Sequence, residues 1–272
     1  MHQPSSKRFR SASPLDLPND GLTNSLRLAL TFTAQSFHTS RSRNLDIMNS
    51  TMNRLYGLMT YYDGFNFCWV QPGRNKNMWS VAEYDRYLRK INDLDKSGKL
   101  VPIERIEVGM DCIVRYNADR HCYREIITEE PMADQWLVFF PDYGNFQRST
   151  RDQIASIVEE SCCSHYDAPI QAVCCRLYNV MPRLPSSRPE IDMRLENFFV
   201  RNTETFLDVK VKNARPNYIA DCDLFIADKG EIGDAQLYKR HIGQSLVDED
   251  LATFADPIAA YSIKMTEEME SS

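Results

Sequence analysis

Between Asp111 and Gln147 the chain runs in short stretches of alternating side chains broken by turn formers, a pattern that a small antiparallel sheet satisfies and a helix does not. Cys112, Val114 and Tyr116 fall on one face of the first stretch, with Ile113, Arg115 and Asn117 on the other. Leu137 and Phe139 likewise oppose Val138 and Phe140, so that if Phe139 is core, Phe140 is left to serve a surface pocket. Asp142-Tyr143-Gly144-Asn145 is a tight turn, with Gly144 bringing Tyr143 and Asn145 to one mouth. Tyr116, Tyr123, Phe140 and Tyr143 thus converge from neighbouring strands, and four rings could wall a box whose faces attract a cation. The plainer reading is a barrel core, but a core more often uses Val, Leu or Phe than three tyrosines whose hydroxyls require partners.

The flanks carry their own signals. Tyr56–Tyr62 and Phe65–Gln71 are strand-like and joined by Asp63-Gly64, a hairpin signature. Ser80 and Glu83 form a capping box, Val81, Tyr84, Leu88 and Ile91 repeat at helical spacing, and Ser97-Gly98 ends the segment. Arg151 to Glu159 reads as helical. A strand begins around Pro169, and Ser187 and Glu190 form a second capping box ahead of a helix carrying Ile191, Leu195, Phe198 and Phe199. Phe206–Val211 and Tyr218–Ile226 alternate as strands.

Charge is unevenly spread. Of the net −6, residues 1–45 carry six Lys/Arg against two Asp, leaving −10 on positions 46–272. Prolines 4, 14 and 18 and the Ser/Asn/Arg bias make 1–45 a disordered basic tail. Ser25–Ala34 followed by Arg41 and Arg43 hints at a mitochondrial transit peptide, a minority reading against which Asp16, Asp20 and the prolines count. After Val247 seven Asp/Glu stand against one Lys, so 249–272 reads as an acidic flexible tail. The acidic body favours basic partners such as arginine-rich peptides. None of the eight cysteines forms a C-x-x-C, His121 beside Cys122 has no second ligand pair at zinc-finger spacing, and no secretory signal precedes them. They read as reduced core thiols of an intracellular protein, with no metal and no cofactor. No apolar run reaches membrane-spanning length, so a soluble chain is expected.

The Tyr123-Arg124 pair, the Asp142-Tyr143-Gly144-Asn145 turn and the order of segments around them resemble the extended Tudor family. Phe67-Cys-Trp-Val-Gln71 looks like that family's first OB segment, and Ala168-Pro-Ile-Gln-Ala-Val173 like its return strand. The resemblance implies a mainly β protein with helices (α+β): a Tudor β-barrel, at about 103–158, inserted into an OB-like, staphylococcal-nuclease-like (SN-like) barrel. The SN-like halves would fall at about 50–97 and 160–248, linked by a long helix, within an extended Tudor domain of 46–248. Carried over by position, the methylarginine cage falls on Tyr116, Tyr123, Phe140 and Tyr143, with Asn145 hydrogen-bonding the guanidinium and Asp142 and Gly144 in support. Three departures stand out: Cys122 where the family commonly has Trp, Arg120 where Gly is usual, and Pro141 ahead of the Asp.

The resemblance implies a non-catalytic adaptor that binds dimethylarginine-containing tails. Such partners are PIWI/Argonaute proteins and other small-RNA components, in the cytoplasm and in perinuclear germ granules. A scaffold binding an unmethylated protein is one alternative. RNA binding through the OB-like half is another, against which the acidic body argues. Asp221, Asp223 and Asp228 have no companion motif for metal-dependent nuclease chemistry.

Overall fold

One β-barrel is interrupted in sequence by a second, and the interruption places the aromatic turn at their junction. The computed structural model describes residues 54–62, 67–72, 81–156, 170–200, 206–214, 219–227 and 240–256. The first barrel opens with β1 (Arg54–Tyr62) and β2 (Phe67–Pro72), an antiparallel pair that fulfils the expected hairpin, though its Asp63-Gly64 turn lies outside the described residues. A helix, α1 (Val81–Lys96), follows; its expected N-cap Ser80 also lies outside them. At its other end Gly98 has φ +65°, and the amides of Gly98 and Lys99 donate to the carbonyls of Asp95 and Leu94. That paired pattern is a Schellman cap, which needs the left-handed conformation glycine adopts without strain.

The second sheet has six strands: β3 (Val101–Pro102), β4 (Asp111–Arg115), β5 (Cys122–Met132), β6 (Gln135–Phe139), β7 (Phe146–Thr150) and β8 (Ile154–Ser156). Their spatial order is β3-β8-β4-β5-β6-β7, every pair antiparallel. The helix expected over Arg151 to Glu159 is not formed: a single 3-10 turn, Arg151–Gln153, leads straight into β8. Thr150 N–H does donate to Gln153 Oε1 at 3.0 Å, a helix-start contact. Pairing of Ile154–Ser156 with β4 and β3 then claims the backbone that a helix would need.

The chain returns to the first barrel with β9 (Val173–Leu177), then β10 (Val180–Pro182), α2 (Arg188–Val200), β11 (Phe206–Ala214), β12 (Ile219–Ala227), β13 (Arg240–His241), α3 (Ile242–Asp248) and β14 (Ala252–Phe254). Strands β11-β1-β2-β9-β12 run side by side, and β12 pairs again with β11, closing five strands into a ring to which β13 adds. Ser187 ends a 3-10 turn that runs directly into α2, so it is not the extended N-cap that a capping box requires. Ile191 and Leu195 of α2 and Ile242 and Leu246 of α3 plug this barrel against Val70, Leu207, Val209 and Leu224. The expectation of a flexible tail from 249 is corrected for residues 249–256, while 257–272 lie outside the described residues. Strand β14 pairs with β10, and Glu249 is bound by Arg194 at 2.5 and 2.6 Å. Glu249 and Asp250 are used for ion pairing, which a composition argument cannot distinguish from solvation.

The six described cysteines (68, 112, 122, 174, 175 and 222) are free and buried. Among the described residues no helix is long and apolar enough to cross a membrane.

Candidate functional site

Tyr123 and Arg124 are neighbours on β5, so their side chains leave on opposite faces. Arg124 turns outward and meets Asp142 in a forked ion pair, Nε to Oδ2 at 2.6 Å and a terminal nitrogen to Oδ1 at 2.5 Å, with both side chains 2% exposed. Asp142 Oδ1 also accepts from the amide of Gln171, at 2.9 Å, at the start of the returning chain. The two halves of the sequence signature are therefore one structural unit. Asp142 is a network residue: it fixes the turn to β5 and to the first barrel while neutralising a buried guanidinium.

Gly144 has φ +90°, and a Cβ built on it would lie 1.9 Å from Cγ of the buried Trp69. No other residue satisfies both the left-handed backbone and the close approach to that indole. The turn is clamped further by Thr60 Oγ1, donating to the Tyr143 carbonyl at 2.7 Å, and by Gln71 Nε2, donating to the Asp142 carbonyl at 2.6 Å. All three clamping residues belong to β1 and β2, so the first barrel holds the turn of the second.

On the inner face of the second barrel the rings meet edge to face. Tyr116 and Phe140 have centroids 5.1 Å apart at 71°, Tyr116 and Tyr123 6.2 Å at 86°, and Tyr123 and Tyr143 5.3 Å at 84°. Perpendicular rings wall a cup. Tyr116, Tyr123 and Tyr143 are half-buried and form its sides, while Phe140, 2% exposed, lies at its base. Phe140 is thus not the surface residue that strand alternation suggested. Both faces of β6 are buried, because Phe139 packs outward on Trp69 (5.3 Å) and Phe146 (4.9 Å) at the junction of the barrels. Asn145 is half-buried beside this turn, and its side-chain amide has no hydrogen-bond partner among the described residues. The structure therefore brings together all four rings expected from the sequence, with Asn145, Asp142 and Gly144 on the adjoining turn.

Supporting residues hold the rings in place. The loop bearing Tyr116 is closed by Tyr116 N–H to the His121 carbonyl at 2.7 Å and Arg120 N–H to the Tyr116 carbonyl at 2.9 Å. Buried Gln147 accepts from the Asn117 amide at 2.8 Å and donates to the Arg115 carbonyl at 3.1 Å. Arg120 has φ +66°, the left-handed region, which accounts for glycine being the expected residue there. Cys122 faces α1, where Asn92 both donates to its carbonyl (3.2 Å) and accepts from its amide (2.9 Å), acting as a substitute strand neighbour. Tyr84 of α1 packs on Tyr143 at 6.5 Å.

One rim residue was not singled out in the sequence: Asp119, whose Oδ2 accepts from Tyr123 Oη at 2.7 Å. Partial burial pulls the other way, but the bonds from Tyr123 and the His121 amide hold the Asp119 carboxyl below its ordinary range. The same contact, after burial, pushes the Tyr123 hydroxyl up, and burial pushes that of Tyr143 up to about 12. Tyr123 and Tyr143 thus stay neutral in the physiological range, with electron-rich faces and an anionic carboxylate at the rim. An acid four residues before Tyr123, inside a turn, was the available signal. Rings of this kind hold cations through their quadrupoles and pack methyl groups on their faces.

Fold and site together define the class: this is an extended Tudor fold, a Tudor barrel set into an SN-like barrel. Residues 51–179 match the Tudor domain family model. Human Tudor domain-containing protein 1 is 29% identical over 102 residues, which is 35% of this chain and 8% of that protein. The extended Tudor domain of human TDRD1, solved with a symmetrically dimethylated peptide, matches with a TM-score of 0.58 at 17% identity, over 74% of this chain and 90% of that one. An extended Tudor domain of mouse TDRD1, solved with a dimethylarginine-containing MILI peptide, gives 0.59 at 17% identity over 75% and 94%. That of Drosophila melanogaster Tudor-SN gives 0.57 at 16% identity over 79% and 94%.

Proposed function

We propose that this protein is a non-catalytic methylarginine reader, an adaptor that captures dimethylated arginine through the cup of Tyr116, Tyr123, Phe140 and Tyr143. The observation that carries the reading is the set of perpendicular rings gathered on one fixed turn. Methylation leaves the guanidinium charged while replacing donors by apolar surface, and ring faces reward that exchange by about 0.5–2 kcal/mol per good contact. In this reading Asn145 accepts a hydrogen bond from the remaining guanidinium N–H, and Asp142 and Gly144 position the turn. The two dimethylated peptides held by the human and mouse neighbours support it. The partners proposed are arginine-methylated tails of small-RNA proteins of the PIWI/Argonaute class, met in the cytoplasm or its germ granules. The test is calorimetric titration of the full chain with one Arg-Gly peptide, unmodified and symmetrically dimethylated. A preference for the methylated form, lost in Tyr116→Ala, is expected; equal affinity for the two peptides would remove the reader assignment.

A further inference from the structure

Glu125 follows Arg124 on β5 and lies on the same inner face as Tyr123 and Ile127, one row below the cup. Across the sheet its neighbour is Cys112 of β4. On the other side Phe139 is paired with Ile126, which sets Phe140, the base of the cup, beside Glu125. The side chain is 0% exposed, and neither carboxyl oxygen has a hydrogen-bond partner among the described residues. A carboxylate without a partner in such a place is expensive to maintain, and a hydrophobe would fill the barrel at less cost. The adjacent guanidinium does not serve it, since the Arg124 fork is taken by Asp142 on the opposite face.

We propose that Glu125 is the buried counter-charge of the cup, and that capture of a cation by the rings releases the Glu125 proton to solvent. The inference rests on the reader assignment above. Burial, with Asp142 adding and Arg124 opposing, keeps the proton on Glu125 in the free protein. A guanidinium seated over Phe140 stands a side chain's breadth from that carboxyl in a medium of low dielectric, where opposite charges attract far more strongly than in water. Its presence favours the ionised form, and by linkage the ionised form binds the cation more tightly by the same factor. Affinity for the methylated peptide therefore rises with pH, by up to about tenfold per unit where the free protein holds the proton and the complex does not.

The other groups facing this position are known. Strand β4 contributes Cys112, β5 contributes Tyr123 and Arg124, the turn after β6 contributes Asp142 and Tyr143, and behind Arg124 on the opposite face stand Asp111 of β4 and Tyr84 and Tyr87 of α1. At the rim stand Asp119 and His121, 3.5 Å apart. His121 is the rim imidazole to remove as a control, because a histidine beside the cup is a second group able to exchange a proton.

The experiment is calorimetry of the full chain with the symmetrically dimethylated Arg-Gly peptide in phosphate and in Tris, whose protonation enthalpies differ. Wild-type protein and His121→Gln are expected to give apparent enthalpies that differ between the buffers by the heat of a released proton, with affinity rising as the pH is raised. Glu125→Gln, which keeps the shape of the neutral acid, should bind with equal enthalpy in both buffers and a flat pH profile. Buffer-independent wild-type enthalpy, or proton release surviving in Glu125→Gln, overturns the inference while leaving the reader assignment standing. No binding of the peptide in either buffer overturns both. Should the variant not fold, the 13C shift of the wild-type Glu125 carboxyl decides: a move to the ionised value on peptide addition supports the proposal, and no move overturns it.

Discussion

The two barrels bury carboxylates in opposite ways. In the SN-like barrel Asp221 is bound by Arg176 at 2.7 Å and Asp223 by Lys212 at 2.9 Å, so the charge is matched where it lies. In the Tudor barrel Asp142 is matched by Arg124, while Glu125, one residue from that arginine and more deeply buried, is not. The first barrel is built as a pedestal: aliphatic core, plugged ends, paired charges, and three side chains clamping a neighbour's turn. The second departs from that economy around one cup of aromatic rings, where a sequence violates the usual rules of burial only with a reason.

The sharpest way to break the contrast is at the junction. Asp142→Ala leaves the Arg124 guanidinium buried and uncompensated and should lower stability by about 3–5 kcal/mol, measured by urea unfolding. Gly144→Ala forces a Cβ into the Trp69 ring and a left-handed backbone on alanine, for a loss of about 3 kcal/mol, with altered Trp fluorescence reporting the displaced turn.

The unpaired carboxylate gives the next effect, of opposite sign. Because folding raises the proton affinity of Glu125, its favourable contribution is complete below the unfolded value of about 4.3 and is lost as pH rises through the raised folded value. Thermal melts should therefore show stability falling with pH in that window, and Glu125→Gln should flatten the fall, gaining about 1–3 kcal/mol at its upper end. Arg120→Gly, relieving the positive φ, should stabilise by up to about 1 kcal/mol, moderated by the freedom glycine gains when unfolded. As the control, Arg183→Ala breaks an ion pair with Asp250 that is 48% and 79% exposed, and should change unfolding free energy by less than about 0.5 kcal/mol.

Much of this was legible in the residues because it is local. The β1–β2 hairpin, α1 with its glycine stop and the alternation of β4 follow from periodicities that packing did not override. All four rings were legible because strand parity and one turn bring them together. What escaped depended on partners distant in sequence. Strand parity leaves Phe140 to a pocket, but not its depth there: with the pedestal covering the Phe139 face, both faces of the strand are buried. Thr150 and Gln153 do start a helical turn, but sheet pairing stops it after three residues. Glu125 reads in sequence as one acid among several offsetting nearby arginines. Its isolation appears only once Arg124 is seen to turn away towards Asp142.

Methylarginine capture by the cup is tested by a crystal structure of the full chain with a symmetrically dimethylated Arg-Gly peptide. The dimethylguanidinium is expected within about 6 Å of the Tyr116, Tyr123 and Tyr143 ring centroids, above Phe140, with an N–H on the Asn145 amide oxygen. A peptide seated elsewhere on either barrel, with these rings untouched, would contradict it.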